Sequence, residues 1–261
     1  MLTGGYRGKE TQKYWTSDKP LFSVVTVVFN GEKTVEDTIR SVIGQKYDSV
    51  EYIIIDGGST DGTLDIIRKY EDKIAYWISE PDRGIYDAMN KGVAQASGKW
   101  IHMLNADDYY VSDDVLGEIA PVLSDEKHFY YFTLLFNAEG KITKQKFHFN
   151  KLNFLKLFYS AYIPQPTMFV SKSQFNAVGA FDLNFKIASD HDMILRLCRR
   201  FPPFFFDIDC TMMRSGGYSE KNILRGFAEF RDIVIKQGLP PSVANLLYRF
   251  KVWKFQHKHR Q

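Results

Sequence analysis

Cysteine is scarce in this chain: 261 residues contain only Cys198 and Cys210. Two cysteines make neither a disulfide framework nor a metal-ligand spacing, which leaves a reducing compartment as the default. An excess of one charge is also missing, with 34 Lys and Arg against 31 Asp and Glu. Bulk charge therefore gives no argument for nucleic acid as a partner. No apolar run approaches the length of a membrane span, and the first thirty residues carry no signal-peptide pattern. The expectation is a cytoplasmic protein, soluble or peripheral at the inner face of the membrane. A Gly-x-x-x-x-Gly-Lys-Ser/Thr phosphate loop is absent, as are internal repeats and low-complexity linkers.

Aromatic residues are plentiful, with 21 Phe and 15 Tyr, and the length suits one large α/β domain or two intimate lobes. Met1 to Pro20 is polar and glycine-rich and reads as a loose arm. A β-branched run, Phe22 to Phe29, is of the type buried in parallel sheets. It breaks at Asn30-Gly31, after which Thr34 and Asp37 form a capping-box pattern and Val35, Ile39, Val42 and Ile43 share a helical face. Tyr52 to Ile55 is a second buried strand, running into Asp56-Gly-Gly-Ser-Thr-Asp-Gly62. Leu64 and Ile67 resume helical spacing, Ile74 to Ile78 is a third strand, and Ile85 to Ala96 a third helix, with Gly98 as its left-handed cap. Trp100 to Leu104 is the fourth strand. Strands alternating with helices through short links predict a mostly parallel, right-handedly wound α/β sheet with functional loops after the strands.

Past Tyr110 the alternation fades. Lys141 to Phe149 alternates as an exposed strand would, Lys151 to Phe158 is helical in pattern, and Thr167 to Val170 is a strand after the turn Ile163-Pro-Gln-Pro166. A helix starts near Ser189-Asp190, a last strand covers Phe204 to Cys210, Ser215 to Ser219 is a flexible link, and Asn222 to Gln237 is helical. From Leu246 to Arg260, basic residues interleave with Leu, Tyr, Phe and Trp. Two readings of that tail stay open: a helix lying on an anionic leaflet, or one packed on the second lobe with a solvated basic end.

Chemistry concentrates at the end of the fourth strand, where an apolar run stops at Asn105, Asp107 and Asp108. A buried strand delivers such carboxylates to the carboxyl edge of a sheet, the ligand-binding edge of open α/β folds. Adjacent carboxylates suit a divalent metal carrying a phosphorylated ligand, and equally an Asp-rich turn. Asp56 opens its turn, so this is not the dinucleotide fingerprint. Its carboxylate suits a base or ribose, or the turn is simply structural, with Ser59 or Asp61 capping the next helix. Asp190 is either a general base or a helix cap. His102 reads as a core histidine, and His191 as a ligand contact or an exposed residue.

Taken together, these motifs resemble those of family-two inverting glycosyltransferases, especially bacterial enzymes of O-antigen, capsule and exopolysaccharide assembly. The matching elements are Val27-Val-Phe-Asn30, Ile55-Asp-Gly-Gly-Ser-Thr-Asp-Gly-Thr63, Ser79-Glu-Pro-Asp-Arg-Gly84, Gly84-Ile-Tyr-Asp-Ala-Met-Asn-Lys-Gly92 and Leu104-Asn-Ala-Asp-Asp108. In the second half they are Pro164-Gln-Pro-Thr-Met-Phe169, Gly179-Ala-Phe-Asp182, Ala188-Ser-Asp-His-Asp192 and Gly216-Gly-Tyr-Ser219. Each motif alone is unspecific; their order and spacing over residues 20–220 are specific.

The resemblance implies a GT-A fold: a Rossmann-like, mostly parallel sheet flanked by helices, with a continuous acceptor-side lobe. It divides the chain into the arm (1–20), a nucleotide-sugar half (21–112), an acceptor and catalytic-base half (113–220) and a basic-aromatic extension (221–261). It implies a metal-dependent transfer of a sugar, a hexose by expectation, from a nucleoside diphosphate to a hydroxyl of a glycan or lipid-linked saccharide. Asp107 then holds Mn²⁺ or Mg²⁺ with help from Asp108, while Asn105 stands where the family's Asp-x-Asp motif has its first carboxylate. Donor contacts fall to Val27, Asn30, Glu32, Asp56, Gly57, Arg83, Asp87, Asn90, Asn105, Ala106 and Asp107. Gly57 replaces the second acid of a frequent pair that reads the base, and Met89 stands where many relatives carry Arg. Asp190 matches the general base, Gln165 and Thr167 the acceptor contacts, and Ser215 to Ser219 a segment closing over the donor. Two other functions compete: a nucleotidyltransferase on a related sheet, for which the loop Phe29 to Thr34 is poor in cations, and a non-catalytic nucleotide-sugar-binding relative, suggested by Asn105 and Gly57.

Overall fold

The computed structural model describes residues 1–7, 21–148 and 151–258. Strand β1 (Leu2–Gly4) comes first, then β2 (Phe22–Val28), α1 (Val35–Ile43), β3 (Val50–Asp56), α2 (Thr63–Lys69), β4 (Tyr76–Ser79), α3 (Ile85–Gln95) and β5 (Trp100–Met103). Strands β4, β3, β2 and β5 lie side by side in that order, all parallel. Every residue of β2 is buried, because helices cover both faces of a sheet wound this way. Val25 and Val27 point into one core with Ile53, Ile55 and Met89. Val24 and Val28 point into the other with Ile54, Ile39 and Ile67.

The second half continues the same sheet. It runs β6 (Tyr109–Tyr110), α4 (Val115–Ile119), β7 (Phe129–Ala138), β8 (Lys141–Gln145), α5 (Lys151–Lys156), β9 (Met168–Ser171), α6 (Lys172–Val178), α7 (Ser189–Arg200), β10 (Pro203–Arg214), α8 (Tyr218–Lys221), α9 (Ile223–Lys236) and α10 (Pro241–Lys258). Strand β9 joins the halves by pairing antiparallel with both β5 and β7, and β10 then pairs parallel with β7 and antiparallel with β6. The expected α/β sheet with a continuous second lobe is the architecture observed.

Several local expectations are corrected. Part of the arm is ordered: β1 pairs antiparallel with the edge strand β4, Tyr6 is buried, and Arg7 forms an ion pair with buried Glu51. Pairing satisfies backbone groups that an open sheet edge would leave bare. The rest of the arm, residues 8–20, and the tail's last three residues lie outside the described residues, as do residues 149–150 at the end of the Lys141–Phe149 pattern. Thr34 makes no side-chain cap to α1. Gly98 is not a left-handed cap, since α3 ends at Gln95. A Cβ on Gly98 would lie 2.7 Å from the Ser23 nitrogen, so close approach to β2 is what demands glycine there. Strand β10 extends four residues past Cys210, to Arg214.

Candidate active site

Parallel winding places the carboxyl ends of β2 and β5 side by side, so the loops after them share one edge. From the second half, the start of α7, the end of β10 and the segment 216–221 reach the same edge. Together they enclose a cleft of about 530 Å³ lined by Val27, Asn30, Asn105 to Asp108, Gln165, Asp190 and Arg214 among others.

The loop after β5 is held from below. The Thr38 hydroxyl on α1 is shared between the carbonyls of Ala106 (3.0 Å) and Asp108 (2.7 Å). Arg214, at the end of β10, donates to the Asp107 carbonyl (3.0 Å) and pairs with Asp37 on α1 (2.6 Å). Asp107 is half-buried on the cleft wall, whereas Asp108 is 1% exposed and takes an amide hydrogen bond from Asn105 at 3.2 Å. Burial, then the neighbouring Asp107 carboxylate, push the Asp108 carboxyl up to about 8. Oδ1 of Asn105 and Oδ1 of Asp108 are buried without a hydrogen-bond partner. Unpaired oxygens of this kind beside a carboxylate are a donor set that fits a hard divalent cation. Among the described residues no group of three or more Asp, Glu, His or Cys forms a complete metal cage. A cation here would draw further oxygens from its ligand, as Mg²⁺ commonly does.

Asp190 lines the same cleft from the first turn of α7. Asp190 is not the N-cap residue: that position is Ala188, and no side chain caps the helix there. The turn leading into α7 is held by Glu229 of α9, whose carboxylate accepts from the backbone nitrogens of Lys186 (2.9 Å), Ile187 (2.7 Å) and Ala188 (3.1 Å). The Asp190 side chain lines the cleft, and its Oδ1 accepts from the His191 nitrogen (2.8 Å). The Tyr86 hydroxyl proton is shared between Ile187 O (2.7 Å) and Asp190 Oδ1 (3.2 Å). Burial pushes the Asp190 carboxyl above its ordinary value, against the lowering effect of those two hydrogen bonds. Helical rotation turns its neighbours away. His191 is 2% exposed, stacks on Phe230 and bonds the Leu157 carbonyl, so it is neither exposed nor a cleft residue. Asp192 is fully buried among Arg196, Lys236 and Gln237.

Of the residues singled out from the sequence, Val27, Asn30, Met89, Asn105, Ala106, Asp107, Asp108, Gln165, Asp190 and Gly216 to Ser219 line the cleft, whereas Glu32, Asp56, Gly57, Arg83, Asp87, Asn90 and Thr167 do not. Asp56 is fully buried, and its carboxylate is occupied by Ser59, Gly58 and Ser79. Glu32 accepts from Gly62 N at 2.9 Å and braces the β3–α2 loop. Asp61, not Ser59, serves the start of α2, accepting from Thr63 N at 3.0 Å. Arg83 and Asp87 pair with each other at 2.7 Å. Asn90 clasps the backbone of Phe181, donating to its carbonyl (3.0 Å) and accepting from its nitrogen (2.8 Å). Thr167 is buried and turned to Pro164 O. His102 is a core residue, as expected. The segment 215–219 is more than a link: Gly216 adopts φ +88°, α8 begins at Tyr218, and a Cβ on Gly217 would lie 3.6 Å from Asp107 Oδ2.

Sequence reasoning missed the cleft's cations. Lys33, Lys186, Arg214 and Lys221 all line it, and no spacing rule links residues from two loops, a strand end and a short helix. It also missed Asp82. A Cβ on Gly57 would meet Asp82 Oδ2 at 2.5 Å, so a carboxylate from the loop after β4 fills the space beside the residue that lacks one. The Asp-Arg-Gly turn was visible; its approach to Gly57 was not.

Comparison with known proteins completes the description. Residues 23–178 match the family described as Glycosyl transferase family 2. Over 186 residues the chain is 34% identical to an uncharacterized glycosyltransferase of Mycobacterium tuberculosis (strain ATCC 25618 / H37Rv), covering 68% of each protein. It is 39% identical over 101 residues to a putative teichuronic acid biosynthesis glycosyltransferase of Bacillus subtilis (strain 168), covering 38% of this chain and 40% of that one. Its fold is similar to that of a mannosyltransferase from Pyrobaculum calidifontis, solved in complex with GDP-Man and Mn²⁺. The TM-score is 0.63 at 17% identity, over 91% of this chain and 72% of that one.

Proposed function

The chain belongs to glycosyl transferase family 2, and from that premise we propose that it moves a sugar from a nucleoside diphosphate to a hydroxyl of a bacterial surface glycan, with inversion at the anomeric carbon. The observation that carries this reading is that Asp190 and Asp107 line one cleft, each delivered by a different half of the chain. Asp190 takes the proton from the acceptor hydroxyl as its oxygen bonds to the anomeric carbon. The bond from that carbon to the diphosphate breaks on the opposite side, which gives inversion. A carboxylate raised by burial is the stronger base for this task. Lys33, Lys186, Arg214 and Lys221 offset the charge of the departing diphosphate.

Asp107 would hold the Mn²⁺ or Mg²⁺, with the unpaired oxygens of Asn105 and Asp108 behind it. Such an ion, when bound, supplies charge neutralisation at the diphosphate. Residues 21–112 serve the donor and 113–220 the acceptor. The base edge of the donor meets the turn after β3, where Asp82 supplies the carboxylate that Gly57 does not. The acceptor is carried on a lipid, and the enzyme works at the inner face of the membrane. Its extension, 221–261, favours that location through Arg249 on α10 beside exposed Leu246, Phe250 and Trp253. No helix among the described residues is long and apolar enough to cross a membrane.

A thermal-shift panel of nucleotide sugars with and without Mn²⁺ tests donor binding, because a bound donor stabilises the fold by mass action. Asp107→Ala is expected to abolish the Mn²⁺-dependent part of the shift. Asp190→Asn is expected to keep the shift and lose transfer by a factor of about 10² or more. Normal transfer by purified Asp190→Asn would remove the base assignment.

A further inference from the structure

Beside the cleft lies a second hollow of about 480 Å³, walled by Tyr159, Ile187, Gly226, Phe227, Phe230 and Phe255. It is not a separate surface feature. Ile187 and Ser219 line both spaces, and Ile187 precedes Asp190 by three residues. The hollow therefore adjoins the cleft on the side where the acceptor hydroxyl has to approach the base.

Two features make it more than a packing gap. Gly226 sits inside α9, where glycine costs about 1 kcal/mol relative to alanine. No neighbouring backbone demands it: a Cβ there would meet only Ile187 Cγ2, at an ordinary 3.4 Å. What the missing side chain leaves is room in the hollow. Secondly, the Lys251 ammonium lies 3.6 Å from the centre of the Phe230 ring, with Tyr159 at 5.1 Å and Phe227 at 5.8 Å. Lys254 lines the same wall, and no carboxylate pairs with either lysine among the described residues. Burial lowers Lys251 to about 8. A cation kept among aromatic rings without a counter-charge is held at a cost that an anionic ligand would offset.

We propose that this hollow seats the lipid of the acceptor, an apolar chain joined through phosphate to the saccharide, with the chain among the aromatic rings and the phosphate against Lys251 and Lys254. Free phosphate would have no use for the rings, and a neutral lipid none for the ammonium groups. The assignment rests on the transfer reading of the adjoining cleft. A competing place for lipid is the outer face of α10, where Val243, Leu246, Phe250 and Trp253 are exposed along one stripe.

The test is calorimetric titration of the full chain with n-decyl phosphate below its micellar concentration, with n-decanol and inorganic phosphate in parallel. Decyl phosphate is expected to bind about tenfold or more tighter than either control. Gly226→Leu fills the hollow while improving helix propensity, and Lys251→Leu removes the cation. Each is expected to weaken decyl phosphate by about tenfold or more, whereas Trp253→Ser leaves it unchanged. Absence of binding to the wild type, equal binding by wild type and both hollow variants, or loss on Trp253→Ser alone would overturn the proposal. The nucleotide-sugar thermal shift is read on every variant. If it stays while lipid binding goes, the effect is on the hollow and not the fold. If the wild type shows no donor shift but its lipid binding follows the variants, the transfer reading fails and the lipid site stands.

Discussion

Within one turn of α7, Asp190 opens on the cleft while His191 and Asp192 are buried in the support behind it. Burial raises the Asp190 carboxyl above its ordinary value, and in the proposed role of general base it must be ionised to act. Activity is therefore lost as pH falls through that raised value. The acid limb of kcat/KM is expected to lie above the roughly 4 of an ordinary aspartate, and a profile flat down to about pH 4 would contradict it. His102 makes the opposite kind of prediction. Its Nε2 meets the Pro166 carbonyl at 2.9 Å and must carry the hydrogen, which leaves Nδ1 to accept from the Tyr110 hydroxyl at 2.6 Å. The ring is thus held neutral, and burial lowers it to about 4. Between about 6.5 and about 4 the unfolded chain binds a proton that the folded chain does not, so stability falls with pH across that window. His102→Gln is expected to cost about 1–3 kcal/mol near pH 7 by leaving buried partners unpaired. That deficit should narrow by at most about 1.4 kcal/mol for each pH unit descended. Urea unfolding of both proteins at about pH 7 and about pH 5 checks this; an unchanged difference would sink it.

Among the elements, α7 owes its entry to α9. Glu229 caps three backbone nitrogens at residues 186–188, and Arg225 steadies its other oxygen at 3.3 Å. Glu229→Ala is expected to destabilise the fold by about 1.5–3 kcal/mol. It should also reduce kcat more than donor binding, since the freed turn leads directly into the first turn of α7, which carries Asp190, the proposed base. A kcat left at the wild-type level would show that the cap does not position the base. Helix α6 shows how a local signal works when nothing competes with it. Ser171 and Gln174 form a complete capping box, and Ser171→Ala should cost about 1 kcal/mol in the same unfolding assay. At α1 the Thr34 and Asp37 pattern makes no cap, and Asp37 is instead drawn to Arg214 of β10.

On the scale of the molecule, one sheet runs from β1 to β6 without a break, and β9 hydrogen-bonds to strands of both halves. The halves share their core, so they are expected to unfold together. Fluorescence and far-ultraviolet dichroism should give coincident urea transitions; two separated transitions would show that the halves are independent domains. The same continuity makes the cleft. One wall comes from the ends of β2 and β5 and the rest from α7, β10 and α8, so neither half encloses the cleft alone.

The parallel first half could be read along the chain because buried β-branched runs and 3.6-residue spacing are local patterns, and they also set which strand ends carry Asn30, Asp56 and Asn105. Asp107 and Asp190 stand in motifs at element ends, but locally a turn or a helix cap explained them as well, and only the order of motifs along the chain singled them out as chemistry. What tertiary packing decided was the direction in which side chains spend their hydrogen bonds. Asp56, Glu32, Asp87 and Asn90 had the right chemistry for a ligand, but each is engaged by its own turn or a neighbouring loop. The four cations, the Asp82 carboxylate beside Gly57 and the aromatic hollow around Lys251 arise from contacts between segments far apart in the chain. Local periodicity specifies elements and their ends; which groups meet across the sheet is set only when the elements close on one another.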